Sequence, residues 1–197
     1  MRVVISEFIS LDGVVQAPGG KNEDTDGGFR HGGWSMRYFD PEVMGNAIDE
    51  GMKRTDALLQ GRRTWKVMAG AWPGRAGDPF ADWMNSVPKY AVSDTLSEDD
   101  VTAWGPTTII RNADLASRVS ELRDEPGGDL NIMGSATVAR ALLAADLVDE
   151  LSLMIEPVVL GGGKGIFPGD GARRPFELTS ASTTVTGVQV CRYQRAR

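Results

Sequence analysis

The hydrophobic positions divide the chain into alternating short elements. Residues 2–9 (RVVISEFI) are β-branched and apolar, which predicts a buried strand that breaks at Ser10-Leu11-Asp12-Gly13. Residues 14–38 have no period. Their glycine pairs, Gly19-Gly20, Gly27-Gly28 and Gly32-Gly33, lie among charges and aromatics, as in a lid or binding loop. Asp40-Pro41 then reads as an N-cap followed by proline at the first helical position, and Val43, Met44, Ala47, Ile48 and Met52 make one apolar helical face. A strand at 57–60 leads into a helix beginning near Arg62; a short helix near 80–86 precedes a strand from Lys89 to Ser93. The rhythm continues with a strand at 107–110, a helix capped by Asn112 with Leu115, Val119 and Leu122 inward, a strand at 130–133 and a helix at 135–145. An alternating strand follows at 151–156. The tail departs from this rhythm, because Phe176 to Ser180 and Val185 to Tyr193 leave no room for a helix between them and predict a hairpin. About eight strands with helices mainly in the middle predict an α/β fold, a mixed sheet with helices on both faces in three layers, α/β/α.

Composition narrows the function classes. A chain of 197 residues suits one core, so a single domain over 1–197 is expected. The formal charge of −6 is spread along the chain without a basic stripe, which argues against nucleic acid and anionic membranes as partners. Glu7 interrupts the first apolar run too early for a secretory segment, and no run reaches membrane-spanning length, so a cytoplasmic location is expected. With one cysteine, Cys191, and one histidine, His31, neither an internal disulfide nor a Cys/His zinc site can form. No spacing of acids calls for another metal.

Two apolar runs end on glycine and turn into helices: Gly61-Arg62-Arg63-Thr64-Trp65 and Gly134-Ser135-Ala136-Thr137. A strand that passes into a helix across glycine aims unpaired N–H groups outward and adds the positive end of the helix dipole, so two such ends on one sheet can grip a pyrophosphate. Adjacent Arg62 and Arg63, followed by the Thr64 hydroxyl, suit a further phosphate monoester and point to NADPH. The commoner G-x-G-x-x-G fingerprint of dinucleotide-binding folds is absent. Gly161-Gly162-Gly163-Lys164-Gly165 lacks the Ser/Thr that follows lysine in a phosphate loop and runs into Ile166-Phe167-Pro168, so it reads as a tight turn.

These pieces, with Val92-Ser93 and Glu156-Pro157-Val158-Val159-Leu160 before the glycine turn, occur in an order that resembles the dihydrofolate reductase-like family. Within it, the branch that holds the C-terminal reductase domain of bifunctional riboflavin-biosynthesis enzymes matches over nearly the whole chain. The resemblance implies a homodimeric, NADPH-dependent reductase of a heterocyclic or phosphoribosylamino-pyrimidine substrate. It also implies that Gly61, Arg62 and Thr64 contact cofactor phosphates, that Ser93 lies near the 2′-phosphate and that Gly134, Ser135, Ala136 and Thr137 cradle the pyrophosphate. Leu11, Asp12 and Gly13 would lie beside the nicotinamide.

Asp94, next to Ser93, is a carboxylate where a 2′-phosphate would be repelled. For the proton that accompanies a hydride, the candidates are Asp12, Asp40 and Glu42, with Asp49 further along; Asp40 and Glu42 also fit plain helix-start acids. Trp34 and His31 are candidates for the substrate mouth, the indole by stacking on a flat ring. Arg30, Arg37, Arg173 and Arg174 are the cations available to a substrate phosphate. The alternative is a non-catalytic nucleotide or small-molecule binder that keeps the phosphate grip and lacks the donor.

Overall fold

The computed structural model describes residues 1–196. Its sheet runs β4-β3-β2-β5-β1-β6-β8-β7. The strands are β1 (Arg2–Ser10), β2 (Thr55–Gly61), β3 (Lys89–Val92), β4 (Thr107–Ile110), β5 (Asp129–Ile132), β6 (Glu150–Glu156), β7 (Phe176–Thr183) and β8 (Gln189–Arg195). The first six lie parallel, β8 runs antiparallel to β6, and β7 pairs antiparallel with β8 at the edge. The expected mixed sheet with its terminal hairpin is therefore present.

Period-two burial sorts the side chains into layers. Val3 and Ile5 of β1, Leu59 of β2 and Ile132 of β5 pack with Val119 and Leu122 of α5 (Leu115–Asp124) and Leu142 of α6 (Ala136–Ala144). Leu58, one residue from Leu59, faces the other way. It packs with Trp65 of α2 (Arg62–Ala71), Met84 of α3 (Pro79–Ser86) and Trp104. Met44 of α1 (Val43–Arg54) covers the same face further along, against Met154 and Val190. Helices thus cover both faces of the sheet. A short α4 (Glu98–Val101), closed by a Ser97–Asp100 capping box, has too few residues for a periodic signal.

Boundaries differ from expectation where local contacts decide them. Strand β2 begins at Thr55, and Pro41 lies in a turn before α1 while Asp40 still caps it. Val185 belongs to the β7–β8 turn and is 97% exposed. Edge strand β7 is mostly polar on its exposed side chains, with Leu178 its one large exposed apolar residue. The segment after β1 is packed rather than open. Val15 N donates to the Lys164 carbonyl, Val14 bridges to Gly165, and residues 14–17 are buried. Among the described residues no helix is long and apolar enough to cross a membrane.

Candidate functional site

Parallel strands all end on one side of their sheet, and ligands of open α/β folds sit in the crevice outside those ends. Here that side opens into a cleft of about 1400 Å³. Its floor takes in the ends of β2, β3 and β5 and the middle of β1 and β6, and both glycine turns lie in its wall.

The two turns interlock. A Cβ on Gly61 would lie 2.2 Å from Ser135 Oγ, and a Cβ on Gly134, whose φ is +69°, would lie 2.9 Å from the Thr64 side chain. Each glycine vacates the space that the other turn's hydroxyl residue fills. The reciprocal fit brings the first turns of α2 and α6 together at the cleft, with N-caps Gly61 and Ser135 that make no side-chain cap. First-turn amides have no partner inside a helix, so both helix ends present donors and positive dipole to one space. The peptide between Gly134 and Ser135 is cis.

Gly61, Arg62, Arg63, Thr64, Ser93, Gly134, Ser135, Ala136 and Thr137 all line this cleft. Their roles diverge. Arg62 makes no ion pair among the described residues, whereas Arg63 is paired with Asp24 at 2.8 Å and with Asp26. Lys164, from the glycine turn after β6, reaches the same two carboxylates at 2.6 and 2.8 Å. Arg63 and Lys164 hold the Asp26 carboxyl down at about 2. Burial opposes the charge on Asp24, but Lys164, the Asp26 N–H and Arg63 hold it below its usual range. Lys164 was read as part of a plain turn; it is a cleft residue.

Ser93 Oγ accepts from the N–H groups of Thr95 and Leu96, at 3.0 and 2.9 Å. Asp94 also lines the cleft and accepts from the side chain and backbone N–H of Asn112, which stabilises its charge. The Gly134 N–H does not point outward as expected. It donates to Glu7 Oε1 at 3.0 Å. Ser135, Ala136 and Thr137 of the same turn line the cleft.

Other expected site residues lie elsewhere. Leu11 is 63% exposed and outside the cleft lining, and Gly13 packs against Phe167. Asp12 accepts from Ser10 Oγ and from the N–H groups of Leu160 and Gly161, so it orders the turn after β6. Asp40 is buried as a cap: Oδ1 accepts from the Glu42 and Val43 N–H groups and Oδ2 from Val185 N–H. Glu42 is exposed outside the cleft. Trp34 is buried outside the cleft lining, with Nε1 donating to the Gln16 carbonyl at 2.8 Å, and anchors its loop. His31 is exposed against Phe29. Arg30 and Arg37 do not line the cleft, and Arg173 and Arg174 line a separate cavity of about 260 Å³.

The acid that sequence reasoning missed is Glu7. It is half-buried in the central strand, lines the cleft, and has its carboxyl pushed up to about 8, chiefly by burial and also by repulsion from Glu23. Its signal was in view, as a lone acid in an apolar strand. Glu156 is likewise raised, to about 7 by burial, but it is sealed behind Ser35, whose hydroxyl donates to it, and lies outside the lining. Among the described residues, no group of three His, Cys, Asp or Glu side chains is placed to hold a metal ion.

The RibD C-terminal domain family matches residues 2–191 of this sequence. The chain belongs to that family. Solved structures share its fold. A protein described under riboflavin biosynthesis from Shewanella sp. PV-4 superposes with a TM-score of 0.75 at 20% identity, over 100% of both chains. A dihydrofolate reductase from Enterococcus faecalis, complexed with NADP(H), gives 0.60 at 13% identity over 100% of this chain and 97% of the other. The diaminohydroxyphosphoribosylaminopyrimidine deaminase/5-amino-6-(5-phosphoribosylamino)uracil reductase of Thermotoga maritima gives 0.65 at 11% identity. That match takes in 99% of this chain and 56% of the longer one. This RibD C-terminal domain thus has the dihydrofolate reductase-like fold, in a reductase-like family.

Proposed function

We propose that this RibD C-terminal domain is an NADPH-dependent reductase of a small heterocycle. The observation that carries the reading is the interlock of the Gly61 and Gly134 turns, which aims two helix N-termini into one cleft. The fit to a dinucleotide is good at that grip. Amides of α2 and α6 and the Thr64 hydroxyl would hold the pyrophosphate, and Arg62 would meet the phosphate monoester. The Asp94 carboxylate opposes a 2′-phosphate, so NADH belongs in the same test. When bound, the cofactor supplies a hydride to an unsaturated carbon.

Beside the grip, Phe8, Ile48, Met52 and Met154 give the cleft an apolar wall that suits a flat ring. The cations lining the cleft are Arg62, Arg63 and Lys164, and the last two are already neutralised by Asp24 and Asp26. That favours an uncharged heterocycle over a phosphoribosyl compound, which would need a second cationic site.

The reading is tested by a thermal-shift titration with NADPH and NADH in parallel, repeated with Arg62→Ala and Gly134→Asp. NADPH is expected to raise Tm by several degrees, more than NADH, and both substitutions to reduce the shift. No shift with either dinucleotide overturns the reading. NADPH oxidation with a panel of oxidised heterocycles then separates a reductase from a silent binder.

A further inference from the structure

Six carboxylates line the cleft: Glu7, Glu23, Asp24, Asp26, Asp49 and Asp94. Asp24 and Asp26 are ion-paired with Arg63 and Lys164, Glu23 accepts from the N–H groups of Gly19 and Gly20, and Asp94 accepts from Asn112. Asp49 is exposed on α1. Glu7 alone rises from the sheet beneath the α6 turn. Its Oε1 takes the Gly134 N–H, 3.0 Å away, and its other oxygen makes no hydrogen bond among the described residues.

We infer, on the strength of the dinucleotide reading above, that Glu7 is a recognition residue of that site that works as a neutral acid: protonated, it braces the Gly134 turn and offers an O–H to the ligand, and ionised, it repels the dinucleotide. The physical reason is the contact itself. A carboxylate at this position would place a desolvated negative charge directly behind the helix end that is to receive a pyrophosphate, cancelling the field that attracts it. The neutral form removes that charge and adds a donor at the free oxygen.

The surroundings favour the neutral form. The neighbouring residues of β5 and β6 on this face, Ile132 and Leu153, carry no charge, and α6 opens with Ala136, Thr137 and Val138. From the loop, Glu23 repels a charge on Glu7, while Asp24 and Asp26 occupy Lys164 and Arg63. Arg62, at the start of α2, is the remaining cation lining the cleft. Burial and Glu23 together hold the proton on Glu7 up to about pH 8.

The test measures the NADPH dissociation constant of the whole chain by calorimetry from pH 6.5 to 9.5. The cofactor's own phosphate monoester titrates near pH 6, below the informative window. Wild-type affinity is expected to fall about tenfold between pH 7 and pH 9, as one-proton linkage requires for a group near 8. Glu7→Gln, neutral and still a donor, is expected to show no such fall.

Lys89 titrates in the same range, lowered to about 8 by burial, but it sits at the far end of β3 and is present in both proteins. Equal pH dependence in the two proteins, or a flat wild-type profile, overturns the inference and leaves the dinucleotide reading standing. No NADPH binding at any pH overturns both. Should Glu7→Gln not fold, carboxyl ¹³C NMR of the wild type decides: saturating NADPH is expected to move the Glu7 midpoint upward, and an unmoved midpoint overturns the inference.

Discussion

The two walls of the cleft are built on different principles. On one side, the Gly61 and Gly134 turns offer backbone amides and need only the absence of two β-carbons to come together. On the other, residues 14–39 and the glycine turn after β6 are tied by side chains: Arg63 and Lys164 to Asp24 and Asp26, Gln16 to the Asp24 carbonyl and the Lys164 N–H, and Trp34 to the Gln16 carbonyl. Backbone donors cannot be mutated away and tolerate little shape change. The side-chain wall differs in that charge and pH act on it directly, through the ion pairs of Asp24 and Asp26.

The sharpest break in this comparison is Gly61→Ala. Its new methyl meets Ser135 Oγ at 2.2 Å, and urea unfolding should show a loss of about 2–4 kcal/mol. Adding Ser135→Gly vacates the space and should restore about half of that loss; a double variant as unstable as the single one would refute the interlock. Next in size is a pH effect on stability. Glu7 and Glu156 have folded-state values raised to about 8 and about 7, so they hold protons that the unfolded chain releases near 4.5. Their contribution is complete below pH 4.5 and is lost as pH rises to about 7 for Glu156 and about 8 for Glu7. Unfolding at pH 7.5 should therefore find Glu7→Gln more stable than wild type by about 2 kcal/mol, with the difference shrinking toward pH 5. A variant that destabilises equally at both pH values would show that the carboxyl is not held neutral.

Smaller effects separate the walls at the ligand. Arg62→Ala should weaken NADPH binding about tenfold and Arg63→Ala less than about threefold, because Arg63 is already satisfied by Asp24 and Asp26. Calorimetry giving the reverse order would reassign the phosphate contact. Smallest is Trp34→Phe, which removes the indole N–H bond to the Gln16 carbonyl and should cost about 1 kcal/mol in unfolding, with NADPH affinity unchanged. A large loss of binding instead would return Trp34 to the ligand site.

Much of the frame was legible in the sequence because it rests on local rules. Alternation in 151–156, the apolar face of Val43, Ala47 and Ile48, and the glycines that close two strands are patterns within a few residues, and the observed elements follow them. The two glycine turns that the family resemblance marked for phosphate both line the cleft. Leu11, Asp12 and Gly13, which the resemblance set beside the nicotinamide, lie outside the cleft lining, with Asp12 hydrogen-bonded to the turn after β6. Asp40 was legible as a cap and is one. Arg62 and Arg63 were indistinguishable as letters, and only the fold, which brings Asp24 and Asp26 to one of them, tells them apart.

By itself, the sequence determined where strands turn into helices and therefore where amides can face an anion, since both depend on backbone preferences over a turn or two. Only the tertiary structure decided which charges remain available there. Glu7 meets Gly134 across 127 residues, and the burial that keeps its proton comes from elements far apart in the chain. Desolvation and ion pairing depend on what surrounds a group in space, and no local pattern carries that information.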